Sequence, residues 1–140
     1  MTDYANIDLF RIYSGATFAI LYESFPISTK LNTAELVEHC NIAFDQSSRT
    51  AHEQILKESL RWLREMDYLR YNENSETFYL TVRSFEGLSF MDDPSDGQCR
   101  GEKLKQLTQK VGVEAAAETI SAIVTKILGS SARTALSLMT

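Results

Sequence analysis

The sequence predicts a mainly α-helical fold with one small β-hairpin (α+β), followed by further helices. Three observations carry this. Leu56, Leu60, Leu63 and Met66 recur at the spacing of one face of a helix with about 3.6 residues per turn. Directly after them come Tyr68-Leu69-Arg70-Tyr71 and Thr77-Phe78-Tyr79-Leu80-Thr81-Val82. These two β-branched and aromatic runs flank the polar tip Asn72 to Glu76, a hairpin pattern. Residues 92–101 are acidic, bear Pro, Gly and Ser, and hold almost no apolar side chain. They read as a linker between a domain at 1–91 and a C-terminal helical segment at 102–140.

The elements follow in order. Ile7, Leu9, Phe10, Ile12, Tyr13, Ala16, Ile20 and Leu21 give Asn6 to Ser24 a broad apolar helical face. Gly15 inside it costs about 1 kcal/mol relative to Ala, which suggests that another backbone approaches there. Pro26 stops this helix, and Pro26 to Lys30 is extended enough for one short strand. Asn32-Thr33-Ala34-Glu35 is a capping box, opening a second helix to about Cys40 with Leu36, Val37 and Cys40 inward. Thr50-Ala51-His52-Glu53 repeats that pattern before the third helix, with Ser47 or Ser48 an equally fair cap. After the hairpin, Ser84 to Phe90 returns to the core as a short helical turn. Glu102–Lys110 and Glu114–Leu128 are expected as helices with a kink at Val111-Gly112-Val113, and Ala115-Ala116-Ala117 permits close packing.

Charge distribution bounds the partners. The net charge is −5, and residues 1–91 carry all of it, with eight Lys/Arg against thirteen Asp/Glu. A domain that grips DNA through phosphates is usually basic, so strong nonspecific nucleic-acid binding is not expected. No apolar run approaches the roughly 20 residues of a membrane span. Met1 to Tyr4 does not begin a basic-then-apolar leader. A cytoplasmic protein without a membrane partner is therefore expected. Cys40 and Cys99 lie far apart and outside any CxxC spacing, and are expected as reduced thiols.

Helix, short strand, helix, turn, helix and hairpin is the order of winged helix-turn-helix domains. Phe78-Tyr79-Leu80-Thr81 followed by Gly87-Leu88 resembles the "Leu-Thr … Gly-Leu" ending common in that superfamily. Trp62-Leu63 followed by Tyr68-Leu69 is similar to its run from recognition helix into wing. The resemblance covers about Asp8 to Met91 and matches no single family within the superfamily. It implies a third helix whose N-terminal half enters the major groove and a wing that touches the neighbouring backbone. The groove-facing candidates are then Ser47, Ser48, Arg49, His52 and Glu53, and the wing candidates Asn72 and Asn74. Glu73 and Glu76 depart from a phosphate-gripping wing. Lys57, Arg61 and Arg64 line one helix face at i, i+4 and i+7. They form either a basic stripe for phosphates or a solvated face with Glu53–Lys57 and Arg61–Glu65 pairs.

Leu104, Leu107 and Val111 share one face of the C-terminal helices, and Ile120, Ile123, Val124 and Ile127 another. These are candidates for pairing with a second copy, docking another protein, or packing on the chain's own domain. No metal, cofactor or reaction chemistry is predicted. His39-Cys40 lacks ligand spacing. Asp92 to Glu102 fails as a calcium loop because Pro94 and Lys103 occupy required ligand positions. Neither cysteine has an evident histidine and orienting partner. The expected function is a small dimeric DNA-binding transcriptional regulator; the alternative is a winged helix used as a protein-interaction adaptor.

Overall fold

The computed structural model describes residues 5–42 and 48–139, with side chains as far as Gly129. It is mainly helical with one two-stranded antiparallel hairpin. The molecule is built around α1 (Asn6–Ser24), whose residues from Ile12 to Ala19 are all buried. A helix apolar nearly all round can only be central. Packed on it are α3 (Arg49–Glu65), α5 (Arg100–Gln106) and α6 (Ala117–Met139).

After α1 the chain is extended, and Thr29 exchanges both backbone hydrogen bonds with Phe78, at 2.9 and 2.8 Å. A single isolated bridge, not a strand, therefore forms in the stretch where a short strand was expected between Pro26 and Lys30. In α2 (Thr33–Cys40) the Asn32 side chain accepts from the Glu35 amide at 3.1 Å, so this cap forms where the sequence placed it. The second proposed box does not form. Thr50 to Glu53 lie inside α3, which begins at Arg49, and the Ser48 side chain makes no capping bond.

Leu56, Leu60 and Leu63 are buried along α3, whereas Met66 sits just past the helix end and is 40% exposed. Asp67 adopts φ 65°, and the Tyr68 amide bonds back to the Leu63 carbonyl at 2.8 Å. That left-handed residue turns the chain from α3 into the hairpin, β1 (Leu69–Asn72) and β2 (Thr77–Leu80). The register pairs Leu69 with Leu80 and Asn72 with Thr77. At Thr81 the backbone leaves the sheet through a reciprocal cap: the Thr81 hydroxyl accepts from the Ser84 amide, and the Ser84 hydroxyl from the Thr81 amide. This starts α4 (Val82–Ser89), a longer helix than the turn expected from Ser84.

In the C-terminal third one expectation is corrected, and of the three uses named for the helices the structure has packing on the chain's own core. Residues 92–101 are not a free linker. Arg100 is 5% exposed and grips Asp92 with Nε and Nη2, each at 3.0 Å, while its guanidinium lies over the Phe90 ring. Nor do the C-terminal helices offer their candidate faces to a second copy. Leu104, Ile120, Ile123, Val124 and Ile127 are buried in the same core as Leu9, Ile12 and Phe18. Leu107 is half-buried against that core, and Val111 points outward, 52% exposed. Between α5 and α6 the helix widens to π geometry over Leu107–Val111 and ends at Gly112, φ 103°, the kink foreseen there. Gly15 explains the fit. A Cβ at that position would overlap Cγ2 of Ile120 and stand 3.2 Å from Cγ2 of Val124, so only a glycine lets α6 come this close.

Candidate nucleic-acid interface

The third helix buries His52, Leu56, Ser59, Leu60 and Leu63 and leaves Thr50, Gln54, Lys57, Glu58, Arg61 and Arg64 in solvent. The residues expected to face a DNA groove are divided by this. Ser47 lies outside the described residues, and Ser48 is half-buried at the start of α3. Arg49 is held by Glu38 at 2.8 Å and by Glu53 at 3.4 Å, which neutralise it from two helices. His52 faces the core, not a groove, because it falls in the buried stripe of α3. The Tyr13 hydroxyl lies 2.7 Å from its Nδ1 and donates to it when the ring proton is on Nε2.

Burial lowers the His52 pKa from its ordinary value and pushes the Tyr13 hydroxyl up. The same burial pushes the Cys40 thiol up to about 12, so it is protonated at neutral pH and is not a nucleophile. A histidine whose folded pKa is depressed stabilises the fold fully above its unfolded value of about 6.5, and that stability is lost as pH falls below it. The thermal midpoint is therefore expected to drop between about pH 7.5 and 5.5, and to drop less in His52→Gln. A midpoint equally flat in both proteins would show that His52 carries no such linkage.

The hairpin completes the surface. Along β1, Leu69 is buried and Arg70 points out, the two-residue alternation of a half-buried strand. Asn72 is not a free wing contact, because its Oδ1 accepts from the Asn74 and Ser75 amides at 2.9 and 3.3 Å and shapes the turn. Asn74, Glu73 and Glu76 are exposed at the tip. Between the C-terminal half of α3 and the hairpin runs an open cleft of about 620 Å³. It is lined by Arg61, Arg64, Arg70, Leu69, Tyr71 and Tyr79, with Glu65 and Asp67 beside them. The Arg64 guanidinium lies 5.1 Å from the centre of the Tyr71 ring, and Tyr71 rests on Phe78 at 4.8 Å. Lys57 is exposed one turn before Arg61 on the same helix.

Arg61 meets Glu65 at 3.3 Å and Glu58 at 3.8 Å, and Arg70 meets Asp67 at 3.7 Å, all well exposed. Exposed pairs of this kind hold at about 0–1 kcal/mol, so a phosphate can displace the carboxylates. Arginine suits that exchange through its planar, two-pronged donor set. Sequence reading found Lys57, Arg61 and Arg64 but missed Arg70, whose alternation with Leu69 along β1 was the available signal. Among the described residues no group of three His, Cys, Asp or Glu could hold a metal ion, and no helix is long and apolar enough to cross a membrane. Comparison with protein-family models, curated proteins and solved structures finds no match.

Proposed function

We propose that the chain is a small dimeric winged-helix transcriptional regulator that holds double-stranded DNA in the cleft between α3 and the hairpin. The order of helix, a single bridge at Thr29 to the hairpin, two helices, hairpin and short helix supports the winged-helix part. The observation that carries the DNA part is the convergence of Arg61, Arg64 and Arg70 on one cleft beside two tyrosines. Such guanidiniums contact phosphates and fix position; they do not read bases. Arg49 and His52, the expected readers, are engaged within the chain, so the contact shifts toward the C-terminal half of α3. With a net charge of −5, binding is weak and strongly salt-dependent.

The test is anisotropy of a labelled duplex titrated at low and moderate salt. Wild type is expected to bind at low salt. Replacing Arg61, Arg64 and Arg70 by alanine should weaken binding at least about tenfold and flatten the salt slope by about one for each arginine. Wild type that does not bind at low salt contradicts this reading. The second reading, a winged helix serving as a protein-interaction module, is favoured by the acidic hairpin tip, Glu73 and Glu76. It is the one supported if wild type fails to bind the duplex.

A further inference from the structure

An apolar depression of about 750 Å³ lies on another side of α3, where Ile7 and Phe10 of α1, Ile55 and Trp62 of α3 and Leu128 of α6 form an open groove with Glu58 and Arg11 on its rim. Ile7 is 55% and Trp62 41% exposed, and the Trp62 ring stands edge-on to Phe10 at 5.2 Å. Contiguous apolar surface of this kind on a monomer marks an interaction site. Trp and Phe at its centre are the side chains that dominate binding energy.

The chain itself supplies an occupant of matching chemistry. Helices α1 and α6 run antiparallel: Gly15 lies against Ile120 and Val124, and Asn6 lines the groove together with Leu128 and Gly129. Because α1 begins at Asn6, α6 outruns it, continuing from Ser130 to Met139. Those ten residues span about 15 Å of helix. Their sequence carries Ala132, Ala135, Leu136, Leu138 and Met139 with a single charge, Arg133. A short helix of that composition needs apolar cover. The groove carries one acid, Glu58, and one base, Arg11, so the match to the segment rests on its apolar side chains, with Glu58 open to Arg133.

We propose that the groove receives the 130–139 segment of a second copy, the two copies exchanging these ends about a twofold axis. One insertion generates the other by symmetry, so the interface is self-complementary and closes at two chains. This deepens the dimeric part of the function proposed above and rests on it, while the arginine cleft is titrated separately with duplex.

The experiment is light scattering of the full chain across a concentration series, together with the emission of Trp62, the only tryptophan. Wild type is expected to dimerise with a concentration-dependent blue shift as Trp62 is covered. Ile7→Asp and Leu136→Asp should each weaken association at least about a hundredfold. Both should keep the wild-type far-UV circular dichroism, since Ile7 is exposed in the first turn of α1, where an acid is favourable. A monomer at every concentration overturns the proposal, as does a dimer that survives either variant. A monomer whose Trp62 emission is already blue and independent of concentration also overturns it, and makes the chain's own segment the occupant. Duplex binding by a monomeric variant leaves the arginine cleft standing whichever way the dimer test falls.

Discussion

Gly15→Leu is expected to cost about 3 kcal/mol, the upper end for overpacking a closed core, enough to loosen α6 from α1. Even Gly15→Ala should destabilise by a net of about 1–2 kcal/mol. Alanine improves helix propensity by about 1 kcal/mol, but overpacking a closed core costs up to about 3 kcal/mol. The new Cβ would overlap Ile120 Cγ2, stand 3.2 Å from Val124 and 3.6 Å from Leu104. Ile120 and Val124 are fully buried and β-branched, so neither has a rotamer by which to retreat. Chemical denaturation of the variants against wild type measures the loss. A Gly15→Leu protein as stable as wild type would mean that α6 does not lie where the structure puts it.

Arg100→Ala should cost about 3 kcal/mol, the lower end for breaking a buried ion pair, because the Asp92 side chain keeps 25% of its surface in water. The guanidinium holds both Asp92 oxygens, reaches the Gly87 carbonyl at 3.4 Å and covers the Phe90 ring. It therefore ties the end of α4 to the start of α5. Arg100→Lys is expected to recover only part of the loss, since an ammonium cannot span two oxygens and a ring face together. The hydrogen bond from Arg100 holds the Asp92 carboxyl below its usual range. A depressed carboxylate stabilises the fold above its unfolded pKa of about 3.9 and loses that stability as pH falls through the folded value. Wild type should therefore lose stability in acid through this pair, and Arg100→Ala should lose less. Equal acid sensitivity in the two proteins would remove Asp92 from the account.

What the sequence made legible was whatever depends on neighbours along the chain. The Leu56, Leu60 and Leu63 stripe, the Asn32 cap and the hairpin tip are set by local spacing and turn chemistry, and each forms where those rules place it. The Thr81 and Ser84 cap escaped notice because Ser84 stands where the usual pattern has Glu or Gln. Arg100 looked like a loop charge because nothing local says that it will be buried with a partner eight residues away. Periodicity showed that Ile120, Val124 and Ile127 face something apolar, but not that the surface is the chain's own first helix. Gly15 held that information, since a glycine in mid-helix implies a close neighbour without naming it. For the candidate site, helical spacing found Lys57, Arg61 and Arg64. The winged-helix resemblance, not spacing, placed His52 outward, and the buried stripe of α3 in fact includes it. The apolar groove was missed because Ile55 and Trp62, seven residues apart, form a second stripe beside the core one.

The docking of α6 on α1 underlies both the single core and the groove, and a double-mutant cycle between Gly15 and Ile120 tests it most directly. Ile120→Ala alone should cost about 2–5 kcal/mol by opening a cavity. In Gly15→Ala with Ile120→Ala, the added methyl enters the space just vacated. The pair should then cost at least about 1 kcal/mol less than the two single changes together. Costs that simply add, within about 0.5 kcal/mol, would show that the two positions do not touch and that α6 lies elsewhere.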